Sequence, residues 1–394
     1  MKSCCFAFKV GLSFLIVGIG FSTIYPLNAG QVVPALSCAS PKATGEYYSY
    51  WKQKYLKPSV RFPGDFKVNY NGKGATVSEA MGYGMLITAL MADEDPEAKK
   101  KFDGLNRFRK RFPSSINPAF MCWKIPANER PGKNDCATDG ELDIAYALLL
   151  AHARWGDDAY QMEARSLIKA IGSSLVRPDF SLRLGDWNEA PGQTRPSDVM
   201  PTHFRAFADA TGDLLWKNVE DRSYEILNEL QLDQLQSGAT VTTGLVPDFA
   251  IEKKGHWVPA RPGFLEGRHD GDYYYNACRV PWRIGWAALG THDVRAKAIL
   301  ERFMQWSAMN VKDPDGFRAG YRLDGHPLHN SDFTTACFMT PTGVAAMALG
   351  MTPWKEKVER YALASREEYY EDSINLLCLI LMEGSPRRGS HQTH

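Results

Sequence analysis

The chain has 394 residues, 44% of them hydrophobic and 23% charged, the composition of an ordinary globular protein. Its 46 basic and 45 acidic residues leave a formal net charge of +1, which argues against a basic nucleic-acid binder and against an acidic disordered chain. The 33 glycines and 23 prolines are too scattered for a low-complexity or collagen-like polymer.

Residues 1–29 read as a secretory signal peptide. Lys2 and Lys9 flank the start of an apolar run, Val10 to Phe21, and the small residue Ala29 suits a cleavage site. The run falls short of the roughly 20 apolar residues that a membrane span needs, although an uncleaved N-terminal anchor is the alternative. The mature protein is expected to be secreted or periplasmic, a monomer, with no membrane contact after signal removal. Six cysteines would remain: Cys38, Cys122, Cys136, Cys278, Cys337 and Cys378. A Cys122–Cys136 bridge would contribute about 3 kcal/mol in the chain-entropy model. Buried thiols acting as small hydrophobes explain the same residues equally well.

Helical periodicity then follows through Thr44–Tyr55, Thr76–Met91, Glu97–Phe112, Thr138–Trp155, Asp158–Ser173, Val199–Thr211, Leu214–Leu235, Arg279–Leu289, Asp293–Met309, Thr340–Leu349, Trp354–Ala364 and Glu367–Leu381. The clearest extended piece is Gly244–Ala250. A βαβ alternation is missing, so a doubly wound sheet is excluded. Motif-like helix starts near Thr76, Thr138, Val199, Arg279 and Thr340 recur at a fairly regular pitch. Each follows a long Gly/Pro/Asp-rich connection and precedes a more amphipathic helix. Helices that are apolar all round must be buried, so these would form an inner ring. The expected fold is all-α, an (α/α)6 barrel of six inner and six outer helices spanning residues 30–382, with a disordered tail at 383–394. A solenoid of helix pairs is the competing architecture. The long loops would gather at one end of the barrel and build a cleft there.

Two inner helices open on similar segments. Thr76 to Glu79 and Thr138 to Glu141 both have the T-x-x-E spacing of a capping box. Capping does not explain Gly82 and Gly84 one turn later, which suggest close approach of another backbone or a ligand. Nor does it need three acids, Asp139, Glu141 and Asp143, within five residues. If both helices are inner, Glu79 and Asp139 are two carboxylates in one cleft. The loop from Gly263 to Asp272, which contains Glu266, runs into Tyr273-Tyr274-Tyr275-Asn276 and then Arg279 and Trp282. Acids beside aromatics suit a sugar, and Trp123, Trp187 and Trp257 in other connections would add platforms. No H-E-x-x-H, Walker loop or G-x-S-x-G is present, and His326 with His329 makes a poor metal site. Acid–base work by carboxylates without metal or cofactor remains, and glycoside hydrolysis fits it.

Through TVSEAMGYGM, CATDGELDIAYALLLA, LRLGDW, TRPSD, GLVPDF, FLEG and YYYNACRVPWRIGW, the chain resembles glycoside hydrolase family 8 from about Tyr47 to Leu349. The resemblance implies an (α/α)6 barrel that hydrolyses β-1,4-linked polysaccharide with inversion. It implies Glu79 as general acid and Asp139 as the residue that binds the sugar at the scissile bond. Many members carry Asp as general base where this chain has Asn276. A branch that includes chitosanases and mixed-linkage glucanases resembles it in having Asn there and a Glu in an FLEG loop, which implies Glu266 as base. Tyr83, Trp123, Asn276, Arg279 and Trp282 are expected to add substrate contacts. Glu141, where Asp is more usual, and Met81, where Gln is frequent, are departures. Asp186, Asp270 and Asp272 would suit cationic chitosan if they lined the cleft, or would form local ion pairs. The competing readings are a non-catalytic polysaccharide-binding barrel and an accessory glucanase of a cellulose-export system.

Overall fold

Six helices stand in a ring, and five of them bury most of their side chains. The six are α2 (Ser78–Leu90), α4 (Thr138–Trp155), α6 (Pro201–Thr211), α8 (Val280–Thr291), α10 (Ala336–Ala348) and α12 (Tyr369–Glu383). The exception, α6, buries one face and keeps Arg205, Asp209 and Thr211 on the other. Each of the six packs on the next, and α12 closes the ring on α2. The outer layer is α1 (Lys42–Tyr55), α3 (Ala98–Lys110), α5 (Asp158–Ser174), α7 (Leu215–Gln236), α9 (Val294–Trp306) and α11 (Thr352–Ala364). Helix α1 covers α12, and the others each pack on the inner helix that precedes them. This is the expected (α/α)6 barrel. The computed structural model describes residues 42–383 except 131, 133, 188, 189, 237–241 and 292. The expected signal peptide, Cys38 and the tail beyond Glu383 lie outside the described residues. No described helix is long and apolar enough to cross a membrane.

Short antiparallel strands fasten the loops at one end. β1 (Leu56–Pro58) pairs with β2 (Phe66–Val68), and β3 (Thr76–Val77) pairs with β4 (Lys124–Ile125). β5 (Gln193–Thr194), β6 (Ala250–Lys253) and β7 (His256–Pro259) form a three-stranded sheet. Only Ala250 of the expected extended piece enters a strand; the residues before it are irregular.

The glycines of the two motif helices have a packing role. A Cβ on Gly82 would lie 2.8 Å from that of Asp143, and one on Gly140 would lie 2.6 Å from that of Ser78. Helices α2 and α4 therefore meet backbone to backbone, which brings their first turns together. Deeper in the barrel, Asp143 receives Arg283 at 2.8 and 2.6 Å and contacts His203 Nε2 at 2.9 Å, tying α4, α6 and α8 together. A buried carboxylate needs such partners to stay ionised.

Neither capping box forms. Thr76 lies in β3, Thr138 Oγ1 donates to the Arg183 carbonyl at 2.7 Å, and neither α2 nor α4 has a side-chain cap. Long-range partners claim these side chains instead. Helix α10 starts four residues before the expected Thr340 and contains Pro341. Burial against α8 and α12 sustains it despite the amide hydrogen that proline lacks. Helix α9 ends at Trp306 and a π turn, Ser307–Val311, follows. Cys122 and Cys136 are buried free thiols, and Cys122 Sγ donates to the Pro113 carbonyl at 3.1 Å.

Candidate active site

The N-terminal ends of the inner helices and the loops that lead into them surround an open cavity of about 740 Å³. Glu79, Asp139, Glu266, Asn276 and Trp123 all line it, together with Arg195, Trp187, Tyr275 and Tyr370. A hollow of similar size, about 770 Å³, lies between α5, α6 and α7, but its one aromatic residue, Trp216, is buried.

Glu79 stands in the first turn of α2. Its Oε2 accepts from Arg279 Nη1 at 3.0 Å and its Oε1 from the Tyr369 hydroxyl at 3.1 Å. Burial and the Asp139 charge push its carboxyl up to about 7, against the pull of Arg279 and Arg195. Asp139, in the first turn of α4, behaves oppositely. Burial would raise it, yet Arg195 and Arg279, both 2.9 Å from its Oδ2, bring it down to about 2. Two neighbouring carboxyls thus differ sharply in acidity: near neutral pH Asp139 is ionised while a large share of Glu79 keeps its proton. Such a split separates a proton donor from a permanent anion.

Across the cleft, Glu266 Oε2 accepts from Asn276 Nδ2 at 2.9 Å. Its Oε1 meets no protein donor among the described residues. The amide of Asn276 cannot turn over, because Arg279 Nη2 donates to its Oδ1 at 2.8 Å. Asp248 fixes the same stretch from below, with Oδ1 accepting from the N–H groups of Tyr274, Asn276 and Ala277. One guanidinium therefore links the two sides: Arg279 touches Glu79, Asp139 and, through Asn276, Glu266.

The loop that carries Glu266 is braced by Asp270, whose carboxylate accepts from the N–H groups of Leu265, Glu266 and Gly267 at 2.7, 3.2 and 2.8 Å. Replacing Asp270 by Asn turns one acceptor into a donor facing those amides. If Glu266 is the base that the resemblance implies, kcat is expected to fall about tenfold with little change in KM, since misplacing a reacting group by an ångström is that costly or more. Steady-state kinetics check this; an unchanged kcat would mean the loop keeps its shape without the brace.

The remaining expectations are sorted by depth. Arg279 is buried and reaches the carboxylates from below. Tyr83 and Trp282 are also buried and do not line the cleft; their rings meet edge to face at 5.9 Å. Tyr83 lies one helical turn below Glu79, and Trp282 nearly one turn below Arg279, so both face the barrel interior. Trp257 is buried on β7, whereas Trp123 and Trp187 do reach the cavity. Asp186, Asp270 and Asp272 are used locally: Asp186 by Ser114 and the Cys136 N–H, Asp272 by His269. Sequence reading assigned no role to Arg195, Tyr369 or Asp248. TRPSD and GLVPDF contain two of them, but their partners are distant in sequence.

A helical barrel whose open cleft gathers carboxyls of opposed acidity beside aromatic rings is suited to glycoside hydrolysis. Residues 23–384 match the family described as glycosyl hydrolases family 8, and the chain belongs to that family. It is 38% identical over 396 residues to the "Beta-glucanase" of Niallia circulans, covering 95% of each chain. It is 37% identical over 360 residues to the "Endoglucanase" of Bacillus sp. strain KSM-330, covering 87% of this chain and 76% of that one. The solved "Beta-1,3-1,4-glucanase" from Paenibacillus sp. X4 superposes with a TM-score of 0.81 at 40% identity, covering 87% of this chain and 91% of that one.

Proposed function

We propose that the protein is an endo-acting, inverting β-glucanase that cleaves β-1,4 bonds in glucan, mixed-linkage glucan included. The observation that carries this reading is the opposed acidity of Glu79 and Asp139 in a cleft that also presents Glu266. Glu79 donates its proton to the leaving oxygen. Asp139 stays ionised, binds the sugar at the scissile bond and keeps Glu79 protonated. Glu266, oriented by Asn276, takes a proton from water through its free Oε1, and the water attacks the opposite face of the ring. Trp123, Trp187, Tyr275 and Tyr370 supply apolar surface for sugar rings.

Glucan is favoured over chitosan on two grounds. The acids that would have suited a cationic polymer are occupied by local hydrogen bonds. The relatives and the solved structure named above are glucanases by name. Reducing-sugar release from lichenan, carboxymethylcellulose, xylan and chitosan, measured side by side, is expected to be highest on lichenan. Inactivity on all four would sink the hydrolase reading, and a preference for chitosan would sink the substrate.

The pH profile follows from the same groups. Glu79 must be protonated to act, so kcat/KM should fall as pH rises through about 7. In Asp139→Asn burial still favours the Glu79 proton, but the charge that adds to it is gone, and Arg279 and Arg195 keep their full pull. The Glu79 carboxyl then drops, and the basic limb should move to lower pH alongside a loss of about 10²-fold or more in rate. A basic limb that stayed in place would show that Asp139 does not control Glu79.

A further inference from the structure

Glu141 is the buried acid that this mechanism leaves unused. It lies on α4, two residues beyond Asp139, with Oε1 accepting from the Met121 N–H at 2.9 Å and Oε2 meeting no donor. Burial pushes its carboxyl up to about 8, against Arg109 of α3 and the Met121 N–H; Asp186 and Asp139 add to the rise. At neutral pH it is therefore an uncharged acid, present for its hydrogen bond rather than its charge.

The bond it makes falls on a critical segment. Phe120, Met121 and Cys122 are buried, and the next residue, Trp123, is 40% exposed at the cleft. The Cys122 N–H donates to the Phe112 carbonyl and the Trp123 N–H to the Asp135 carbonyl, both at 2.8 Å. The Met121 N–H has only Glu141, and a buried amide left unpaired would force the segment to shift. On the far side of Trp123, its carbonyl accepts from the Ser78 N–H at 2.9 Å, next to Glu79.

We propose that Glu141 is a positioning residue that holds Trp123 at the cleft wall. Its carboxyl ties the Met121 peptide to α4, the helix of Asp139, while Ser78 ties the Trp123 peptide to α2, the helix of Glu79. The platform is thereby fixed relative to both carboxylates. This inference rests on Trp123 being a sugar contact. It makes reach, not charge, the property that matters at position 141. Gln offers an acceptor at the same reach; Asp, one methylene shorter, does not.

KM and kcat on lichenan for Trp123→Ala, Glu141→Gln, Glu141→Asp and the Glu141→Asp/Trp123→Ala double variant test it. KM does not depend on how much of a variant folds, so a poorly folding Glu141→Asp still reports. Trp123→Ala should raise KM about tenfold, the factor carried by ~1.4 kcal/mol of binding. Glu141→Asp should raise KM several-fold with kcat nearly unchanged, and Glu141→Gln should stay close to wild type. The double variant should be no worse than Trp123→Ala alone, because the two act through one contact. An unchanged KM in Glu141→Asp, or the same increment in both backgrounds, overturns the inference. An unchanged KM in Trp123→Ala with lichenan still cleaved also overturns it, by removing the sugar contact while leaving the hydrolase reading intact.

Discussion

Glu79→Gln should reduce kcat on lichenan by about 10³-fold or more, the scale on which removing a positioned general acid acts. The fold should be nearly unaffected. The glutamine carbonyl can still accept from Arg279 Nη1, and its amide can donate to the Tyr369 oxygen, so the one bond lost is that of the Tyr369 hydroxyl proton, which must turn to another acceptor. No capping bond is lost, because the Glu79 side chain does not cap α2. What disappears is the acidic proton. The loss should accordingly depend on the leaving group: with a dinitrophenyl cello-oligosaccharide, whose phenolate departs without a proton, the deficit should shrink sharply. Parallel assays on the two substrates separate this role from general damage to the site. An equal deficit on both would assign Glu79 to binding, and half of wild-type turnover on lichenan would end its assignment as acid.

Much of the architecture was legible because most inner helices, α6 excepted, are apolar nearly all round and the outer ones are not, a pattern that needs no tertiary information. All twelve helices lie where periodicity places them, and Thr138–Trp155 matches at both ends. Local grammar misled where long-range partners compete. T-x-x-E reads as a cap, but Glu79 is taken by Arg279 and Tyr369, and Glu141 by Met121. Tyr83 and Trp282, expected as sugar contacts, lie four residues beyond Glu79 and three beyond Arg279, and both are buried. On a helix that points into a barrel, three or four residues are the difference between cleft and core. Arg195 and Tyr369 were illegible for the reverse reason: they meet Asp139 and Glu79 from segments 56 and 290 residues away. Asn276 was the most informative departure. Read alone, it removes the base that many relatives carry there; in the structure it is the donor that holds Glu266 Oε2.

That geometry sets the second large effect. Glu266→Ala should be nearly inactive, losing about 10³-fold in kcat, because among the described residues the other carboxylates of its own loop and of the segment beneath it are already engaged, which leaves Asp135 and Glu371 of the cavity wall as the alternatives to test. Asp270 is tied to three loop amides and Asp272 to His269, while the Asp248 carboxyl, which burial pushes up to about 7, is held beneath Asn276 by backbone amides. The cavity left by the missing side chain should admit azide, an anion that attacks without losing a proton. Added azide should restore part of the turnover and give a glycosyl azide of inverted, α configuration. Asn276→Asp should not complete the rescue. A carboxylate there would lose the donor contact to Asp248, face that residue's charge when it ionises, and stay pinned by Arg279 Nη2, which lowers its basicity. In the presence of Glu266 the same substitution should be harmful, since two carboxylates sharing one site raise one pKa and shift the acidic limb to higher pH. Product anomers read by NMR, with azide and without, decide the matter. Near-normal turnover in Glu266→Ala would place the base elsewhere, and a β-azide would mean a retaining enzyme and end the single-displacement mechanism.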